Sequence, residues 1–415
     1  MTETHDNNPK IFLSPPHMGG DEISFVKEAF DSNFIAPVGP MVNAFEKEVA
    51  EYTGIPHCLA VTSGTAAMHL ALRHIFEKAE YTIEGVGKNP ENSNTRKPHV
   101  LASTMTFIGS ISPAVHLGAD ITFIDCDKET WNIDPRLLQQ ALERMAADDI
   151  LPAAVIPTDL YGQCCNLPLI QSICNEYDVP VVADSAEAFG AKYWDNNAVE
   201  SQQQNMNVKM RHAGFDSTAA IFSFNGNKLI TTSGGGILAS HDKDLIDHAR
   251  KLSTQARDEA PHYQHSEIGY NYRMSNIVAA IGRGQLKVVD DRVEQARQIF
   301  DMYTKKLADI PCISFMPEAT YNRANRWLTP IVLDPDKAPN NNDSLLQALQ
   351  NDKIEARPIW KPMHLQPIFK NSHVVGGEVS EYIFEHGLCL PTGTAMTEKD
   401  VERVCNIIRK CNSNW

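Results

Sequence analysis

Long apolar runs are missing from these 415 residues, and no stretch approaches the roughly 20 consecutive apolar residues that a membrane-spanning helix requires. The opening Met1–Lys10 is polar and acidic and lacks the apolar core of a secretory leader, which predicts a flexible tail over residues 1–10 and a cytoplasmic protein. Basic residues are also in short supply, 37 Lys and Arg against 52 Asp and Glu. The resulting formal charge of -15 argues against nucleic acid or an anionic membrane as principal partner. The nine cysteines form no C-x-x-C pair and no regular metal-ligand spacing, and Cys164 and Cys165 are adjacent. Reduced thiols, with no metal centre, are the expectation. No internal repeat is present. What is there is a chain long enough for two domains that share a large core.

Short apolar runs alternate with helical patterns through the first two-thirds of the chain. The runs Val100–Ser103, Ile121–Ile124, Ala153–Pro157, Val179–Ala183, Ala219–Phe224 and Gly236–Ser240 read as strands, with helices such as Pro135–Met145 and Leu167–Tyr177 between them. That pattern predicts an α/β fold with a mostly parallel sheet covered on both faces. Near Ser275 the character changes to long amphipathic helices, Asn276–Gly284 and Val288–Leu307, followed by shorter strands and loops. The division expected is a large domain over 11–260 and a smaller C-terminal α+β domain over 261–415. Two polar, turn-rich stretches, Glu77–Lys97 and Tyr193–His212, read as inserted surface loops.

The stretch from Phe222 to Gly236 carries the chemistry, because it sets Lys228 between a strand end and the cluster Gly234-Gly235-Gly236. A lysine amine is a poor nucleophile until a desolvated pocket lowers its pKa and holds a carbonyl beside it, and pyridoxal phosphate is the obvious carbonyl. A lysine taken at random is a solvated surface residue. Here Ser223, five residues upstream, can reach a phosphate, and the glycines allow close backbone approach. Asp184 ends the apolar run Val179–Ala183, where open α/β sheets bind ligands, and an acid there can keep a pyridine nitrogen protonated. An ordinary helix cap is the competing use for Asp184. Ser63-Gly64-Thr65 opens an apolar helical pattern whose free N–H groups suit a phosphate, although the same residues make an ordinary N-cap. Phe107, at another strand end, could stack on a flat cofactor or simply pack in the core.

This order of Ser-Gly-Thr, strand-end Phe, strand-end Asp and Ser-x4-Lys resembles the fold-type I pyridoxal phosphate enzymes. More narrowly, the chain resembles the nucleotide-sugar aminotransferases of the DegT/DnrJ/EryC1/StrS family. The likeness includes Leu13–Gly20, Ile35–Pro40, Gly269–Asn276 and Cys389–Thr394. It implies a mostly parallel seven-stranded sheet in the large domain, pyridoxal 5'-phosphate as cofactor, Lys228 as the Schiff-base lysine, Asp184 on the pyridine nitrogen and Phe107 stacked on the ring. Gly64, Thr65 and Ser223 would hold the phosphate, with Asn271 reaching it from a second subunit, hence a homodimer with shared active sites. Ser223–Lys228 and Arg357–Lys361 look most like the UDP-N-acetylbacillosamine transaminases. Those enzymes move the amino group of L-glutamate to carbon 4 of a UDP-linked 4-keto-6-deoxy-2-acetamido sugar for glycan biosynthesis. Asn33, Phe34, Ile35, Ala36, Arg357, Pro358, Ile359 and Trp360 would line the sugar-nucleotide entrance.

One residue departs from the broader pattern. Many members carry Gln where Glu187 stands, against the cofactor's phenolic oxygen, and an anion there needs a proton or a bridging partner. An anionic substrate also needs local positive charge, for which Arg257, Arg273, Arg326 and Arg357 are candidates. Three alternatives stay open: an aminotransferase for a dTDP-linked sugar, one for a 3-keto sugar, and a non-enzymatic regulator that keeps the cofactor site. The dehydrating sister group carries His at the lysine position, so Lys228 argues against it.

Overall fold

The computed structural model describes residues 9–84, 96–194, 210–338 and 340–412. Of the expected N-terminal tail, residues 1–8 lie outside that description, as do residues 85–95 and 195–209 of the two expected loops.

A central sheet forms from β1 (His57–Val61), β2 (His99–Ser103), β3 (Asp120–Ile124), β4 (Ala154–Ile156), β5 (Val182–Asp184), β8 (Ala219–Ser223) and β9 (Gly236–Ser240). Its order is β1-β9-β8-β5 in one half and β4-β2-β3 in the other. The halves join through parallel bridges Val155–Val181 and Thr158–Asp184. All neighbours run parallel except β9, which is antiparallel to both β1 and β8. The strands read as unbroken apolar runs because both faces are covered. Leu59, Ile221 and Leu238 face one layer of helices, including Gly64–Lys78 and Lys243–Ser253, while Ala60, Phe222 and Ile237 face the other. Helix starts follow from local chemistry: Ser63, Asp134, Asp242 and Ser275 each accept a first-turn N–H through their side chains.

The C-terminal part builds an antiparallel sheet, β10 (Ile313–Phe315), β12 (Thr329–Leu333), β15 (Gly387–Leu390) and β13 (Arg357–Pro358), in that order. Helices Val289–Lys306, Asn342–Asn351 and Glu398–Asn412 cover it. The chain crosses the expected division at 260 and 261 in both directions. Ile11 bridges to Ile354 and is buried in the C-terminal core. From the other side, β14 (His373–Val375) adds an eighth, parallel strand beside β3, and Asn276–Leu286 packs in the core of the large sheet.

The expectation of a surface loop over Tyr193–His212 is corrected at both ends. β6 (Lys192–Trp194) and β7 (Met210–His212) pair as antiparallel strands and add β11 (Asn322–Arg323), which buries Tyr193 and His212 completely or nearly so. The His212 ring accepts from Gly190 N–H through Nε2 (2.9 Å), and burial pushes its pKa down to about 4. At the other stretch, Glu77 and Lys78 are the last turn of a helix and Tyr81 is buried.

Candidate active site

Parallel strands leave their carboxyl ends along one edge of a sheet, and a cavity of about 790 Å³ opens there. Thr62, Ser63, Gly64 and Thr65 reach it from the end of β1, Phe107 and Ser110 from beyond β2, Asp184 and Glu187 from β5, and Ser223 and Lys228 from β8. The C-terminal part closes the cavity with Trp327, Leu328, Glu355, Arg357, Pro358, Trp360 and Cys389, and the strap Phe12–Pro16 completes the mouth.

Lys228 is largely enclosed. Its Nζ lies 3.3 Å from Glu187 Oε1 and 4.3 Å above the Trp327 ring. Trp327 is itself fixed by its indole N–H, which donates to Asn227 O (2.6 Å). Glu187 accepts the Tyr161 backbone N–H on its other oxygen (2.8 Å), and burial pushes its carboxyl up to about 7, against the pull of Lys228. Tyr161 has a left-handed backbone (φ 51°) that turns its N–H to Glu187, while its hydroxyl accepts the Trp360 N–H (3.0 Å). The Asp184 carboxyl is raised by burial and eased back by the hydrogen bonds it accepts. The Phe107 ring is 60% exposed, so it is a wall of the cavity rather than core.

The Ser-Gly-Thr turn is pressed against β8 and β9. A Cβ on Gly64 would stand 3.2 Å from Ser223 Cβ, and one on Gly236 would stand 2.5 Å from Gly64 N. The close approach made by Gly236 is therefore to the turn's backbone rather than to a ligand. The Ser63 side chain takes the Ala66 N–H, while the N–H groups of Gly64 and Thr65, at a helix start, have no intrahelical acceptors. That leaves a small concave donor set beside the Ser223 hydroxyl, with an enclosed lysine and a buried acid in the same cavity. These residues fit pyridoxal phosphate: donors for its phosphate, an acid for its ring nitrogen, an amine for its carbonyl.

Several residues expected at the entrance lie elsewhere. Asn33, Phe34, Ile35 and Ala36 form an exposed loop that does not line this cavity, held by Asn276, whose Nδ2 donates to Phe34 O (2.6 Å) and whose N–H donates to Ala36 O (2.9 Å). Asn271, expected to reach the phosphate of a second subunit rather than its own, lines within its own chain a separate cavity of about 620 Å³ with Pro37, Val38, Arg257, Tyr263 and Arg273. Ile359 turns inward between Arg357 and Trp360 and packs on Gly387. Of the four candidate arginines only Arg357 lines the Lys228 cavity. Arg273 is buried against Glu46 (2.6 Å), and Arg326 lies over the Phe300 ring (3.8 Å). Tyr161, Trp327 and Glu355 escape a sequence reading because tertiary contact alone brings them here. Away from the cavity, Glu77, His248 and Glu267 converge, but Arg73 and Lys251 already pair with the two carboxylates (2.8 and 2.7 Å).

A sheet of this topology with lysine, acid and phosphate turn in one cavity defines the class of pyridoxal phosphate-dependent transferases. The model of the DegT/DnrJ/EryC1/StrS aminotransferase family matches residues 16–409, and the chain belongs to that family. It is a pyridoxal phosphate-dependent aminotransferase of nucleotide-sugar biosynthesis. Among its relatives is EpsN of Bacillus subtilis (strain 168), named as a pyridoxal phosphate-dependent aminotransferase. It is 44% identical over 403 residues, covering 96% of this chain and 95% of that one. GDP-perosamine synthase of Caulobacter vibrioides is 31% identical over 397 residues, covering 95% and 96%. In fold the chain is similar to Helicobacter pylori PseC, an aminotransferase involved in pseudoaminic acid biosynthesis. The TM-score is 0.82 at 19% identity, covering 98% of this chain and 100% of that one. No helix among the described residues is long and apolar enough to cross a membrane.

Proposed function

We propose that this enzyme transfers the amino group of L-glutamate to carbon 4 of a UDP-linked 4-keto-6-deoxy-2-acetamido sugar. The single observation that carries a two-substrate reading is the enclosure of Lys228 between Glu187 and Trp327, in a cavity whose mouth holds Arg357. The UDP and acetamido assignment rests on the likeness of Ser223–Lys228 and Arg357–Lys361 to the bacillosamine branch. When bound, pyridoxal phosphate supplies a carbonyl that carries the amino group and a ring that takes up electrons. Gly64, Thr65 and Ser223 would hold the phosphate, Phe107 would cover one ring face, and Asp184 as an anion would keep the ring nitrogen protonated. Glu187 meets the phenolic oxygen.

Lys228 Nζ takes the α-proton of glutamate and later delivers a proton to carbon 4 of the sugar, one amine serving both half-reactions. Trp327 covers one side of that amine and shields it from water. Arg357, exposed and paired with Glu355 (2.9 Å), offers the anionic substrates a guanidinium at the entrance. Both substrates use the cavity in turn, so the kinetics are ping-pong. The working unit is a cytoplasmic homodimer in which Asn271 and the 33–36 loop of one subunit complete the cavity of the other. This is supported by their placement away from Lys228 within one chain and by the exposure of Phe34 and Ile35.

Turnover with L-glutamate against UDP-, GDP- and dTDP-linked 4-keto sugars, with a 3-keto sugar included, tests the reading. A preference of at least about tenfold in kcat/KM for the UDP-linked acetamido sugar is expected. Preference for a GDP-linked sugar, the reading favoured by the 31% identical relative, would replace it.

A further inference from the structure

Behind Asp184 runs a file of buried hydroxyls. Thr158 Oγ1 donates to Thr106 Oγ1 (2.8 Å), Thr106 Oγ1 pairs with Ser110 Oγ (2.8 Å), and Ser110 Oγ donates to Asp184 Oδ2 in a short contact. All four side chains are buried. Each hydroxyl has one proton to give. Ser110 gives its proton to Asp184 and Thr158 gives its own to Thr106, which leaves the Thr106 proton for Ser110 or for Asp184 itself, so the bonds run towards the carboxylate by either route. Bonds aligned in this way polarise one another.

The file is anchored at its far end, where the Thr158 N–H donates to Ser103 Oγ (3.0 Å). The other Asp184 oxygen accepts the Ala186 N–H (3.1 Å). The charged groups around Asp184 are Lys228 from the loop after β8, Glu187 from its own loop, and Asp159 from the end of β4. Asp159 is occupied by Ser185 Oγ (2.6 Å) and the Cys165 N–H (2.8 Å). Burial disfavours the Asp184 anion, and among the groups that oppose burial the Ser110 hydroxyl acts most strongly.

We propose that Ser110 is a positioning residue of the aminotransferase: backed by Thr106 and Thr158, it holds Asp184 as an anion aimed at the cofactor's ring nitrogen. This rests on Asp184 facing that nitrogen. The test loads the protein with pyridoxal phosphate labelled with ¹⁵N in the ring and follows the nitrogen's chemical shift against pH. Wild type should keep the nitrogen protonated across the accessible range. In Ser110→Ala the Asp184 carboxylate is the stronger base, so the ratio of ring-nitrogen to Asp184 protonation should fall about tenfold and the plateau shift should move towards that of a neutral pyridine, the size expected for one lost hydrogen bond to a charged group. Thr106→Val should move it the same way by less, and Ser110→Thr, which keeps a hydroxyl, should lie close to wild type. Turnover should fall about tenfold in Ser110→Ala, with thermal midpoint and cofactor affinity nearly unchanged. If Ser110→Ala fails to fold, Thr106→Val set against Ser110→Thr carries the same comparison. A titration of Ser110→Ala, or of Thr106→Val in its place, that superimposes on wild type overturns the proposal. If Asp184→Asn also leaves the nitrogen unchanged, the placement of Asp184 itself falls, and the proposal with it.

Discussion

Two cavities of similar size differ in how their residues come together. The larger, about 790 Å³, gathers Lys228, Asp184, Glu187, Ser223 and Phe107 from the ends of three strands of one sheet. The smaller, about 620 Å³, sets Asn271 and Arg257 beside Pro37 and Val38, and the adjoining Phe34 and Ile35 are about half exposed. Strand-end residues meet inside one chain because the sheet's hydrogen bonds leave them no other place. Loop residues such as Asn33 to Ala36 are held by Asn276 and by backbone bonds to Ala29 and Phe30, away from the Lys228 cavity. A cavity whose chemistry is assembled by the sheet belongs to the fold, and one assembled by loops belongs, on the homodimer proposed above, to the assembly.

The sharpest way to break that contrast is to remove chemistry from the larger cavity. Lys228→Ala is expected to lower turnover on the order of 10³-fold or more while the thermal unfolding midpoint stays within a few degrees. Near-normal turnover would refute its role. Asp184→Asn should keep cofactor, measured by absorbance of the dialysed protein, yet lose activity on the order of 10²-fold. Full activity would remove Asp184 from the ring nitrogen.

The smaller cavity is tested by mixing two inactive variants, Lys228→Ala and Asn271→Asp, the second setting a carboxylate against a phosphate. In a mixed dimer one site collects both lesions and the other neither. Activity should therefore return towards about half per heterodimer. Verified subunit exchange without recovery counts against a shared site.

The smallest effect expected concerns Glu187 in cofactor-free protein. Its carboxyl, pushed up to about 7 from an ordinary value of 4.5, holds a proton that the unfolded chain releases. Its contribution to stability is therefore present below about 4.5 and lost as pH rises towards about 7. Glu187→Gln should flatten the fall of the thermal midpoint across that window by roughly 2 °C. A slope identical to wild type would mean that the proton is held elsewhere.

Much of the fold is legible in the chain because a sheet covered on both faces writes itself as unbroken apolar runs, as in Ala219–Ser223 and Gly236–Ser240. His373–Val375 is not legible as a strand of that sheet. Three residues carry no pattern, and the partner β3 lies some 250 positions earlier. The Tyr193–His212 stretch misleads for a different reason, since its polar middle hides two short strands whose Tyr193 and His212 are buried. In the cavity, Lys228, Asp184, Ser223 and Phe107 stand out because local sequence places each at a strand end. Trp327, which walls the cavity, and Tyr161, buried behind Glu187, do not, because an aromatic residue at a site reads like one that fills a core. Ile359 differs in the reverse sense: it sits between the lining residues Pro358 and Trp360, yet its own side chain is buried against Gly387.

The pairing of β14 with β3 also bears on how the chain is made. A nascent chain that has emerged only as far as residue 372 has strands β1 to β9 available but leaves the outer backbone of Asp120-Ile121-Thr122-Phe123-Ile124 without a partner. Bare edges of this kind recruit strands from other chains, and synthesis from the N-terminus holds this one bare until His373–Val375 has been made. Truncation before His373 would thus yield a sticky intermediate rather than a free-standing first domain, and the sheet's last guard is delivered by a strand made some 250 residues after the one it covers.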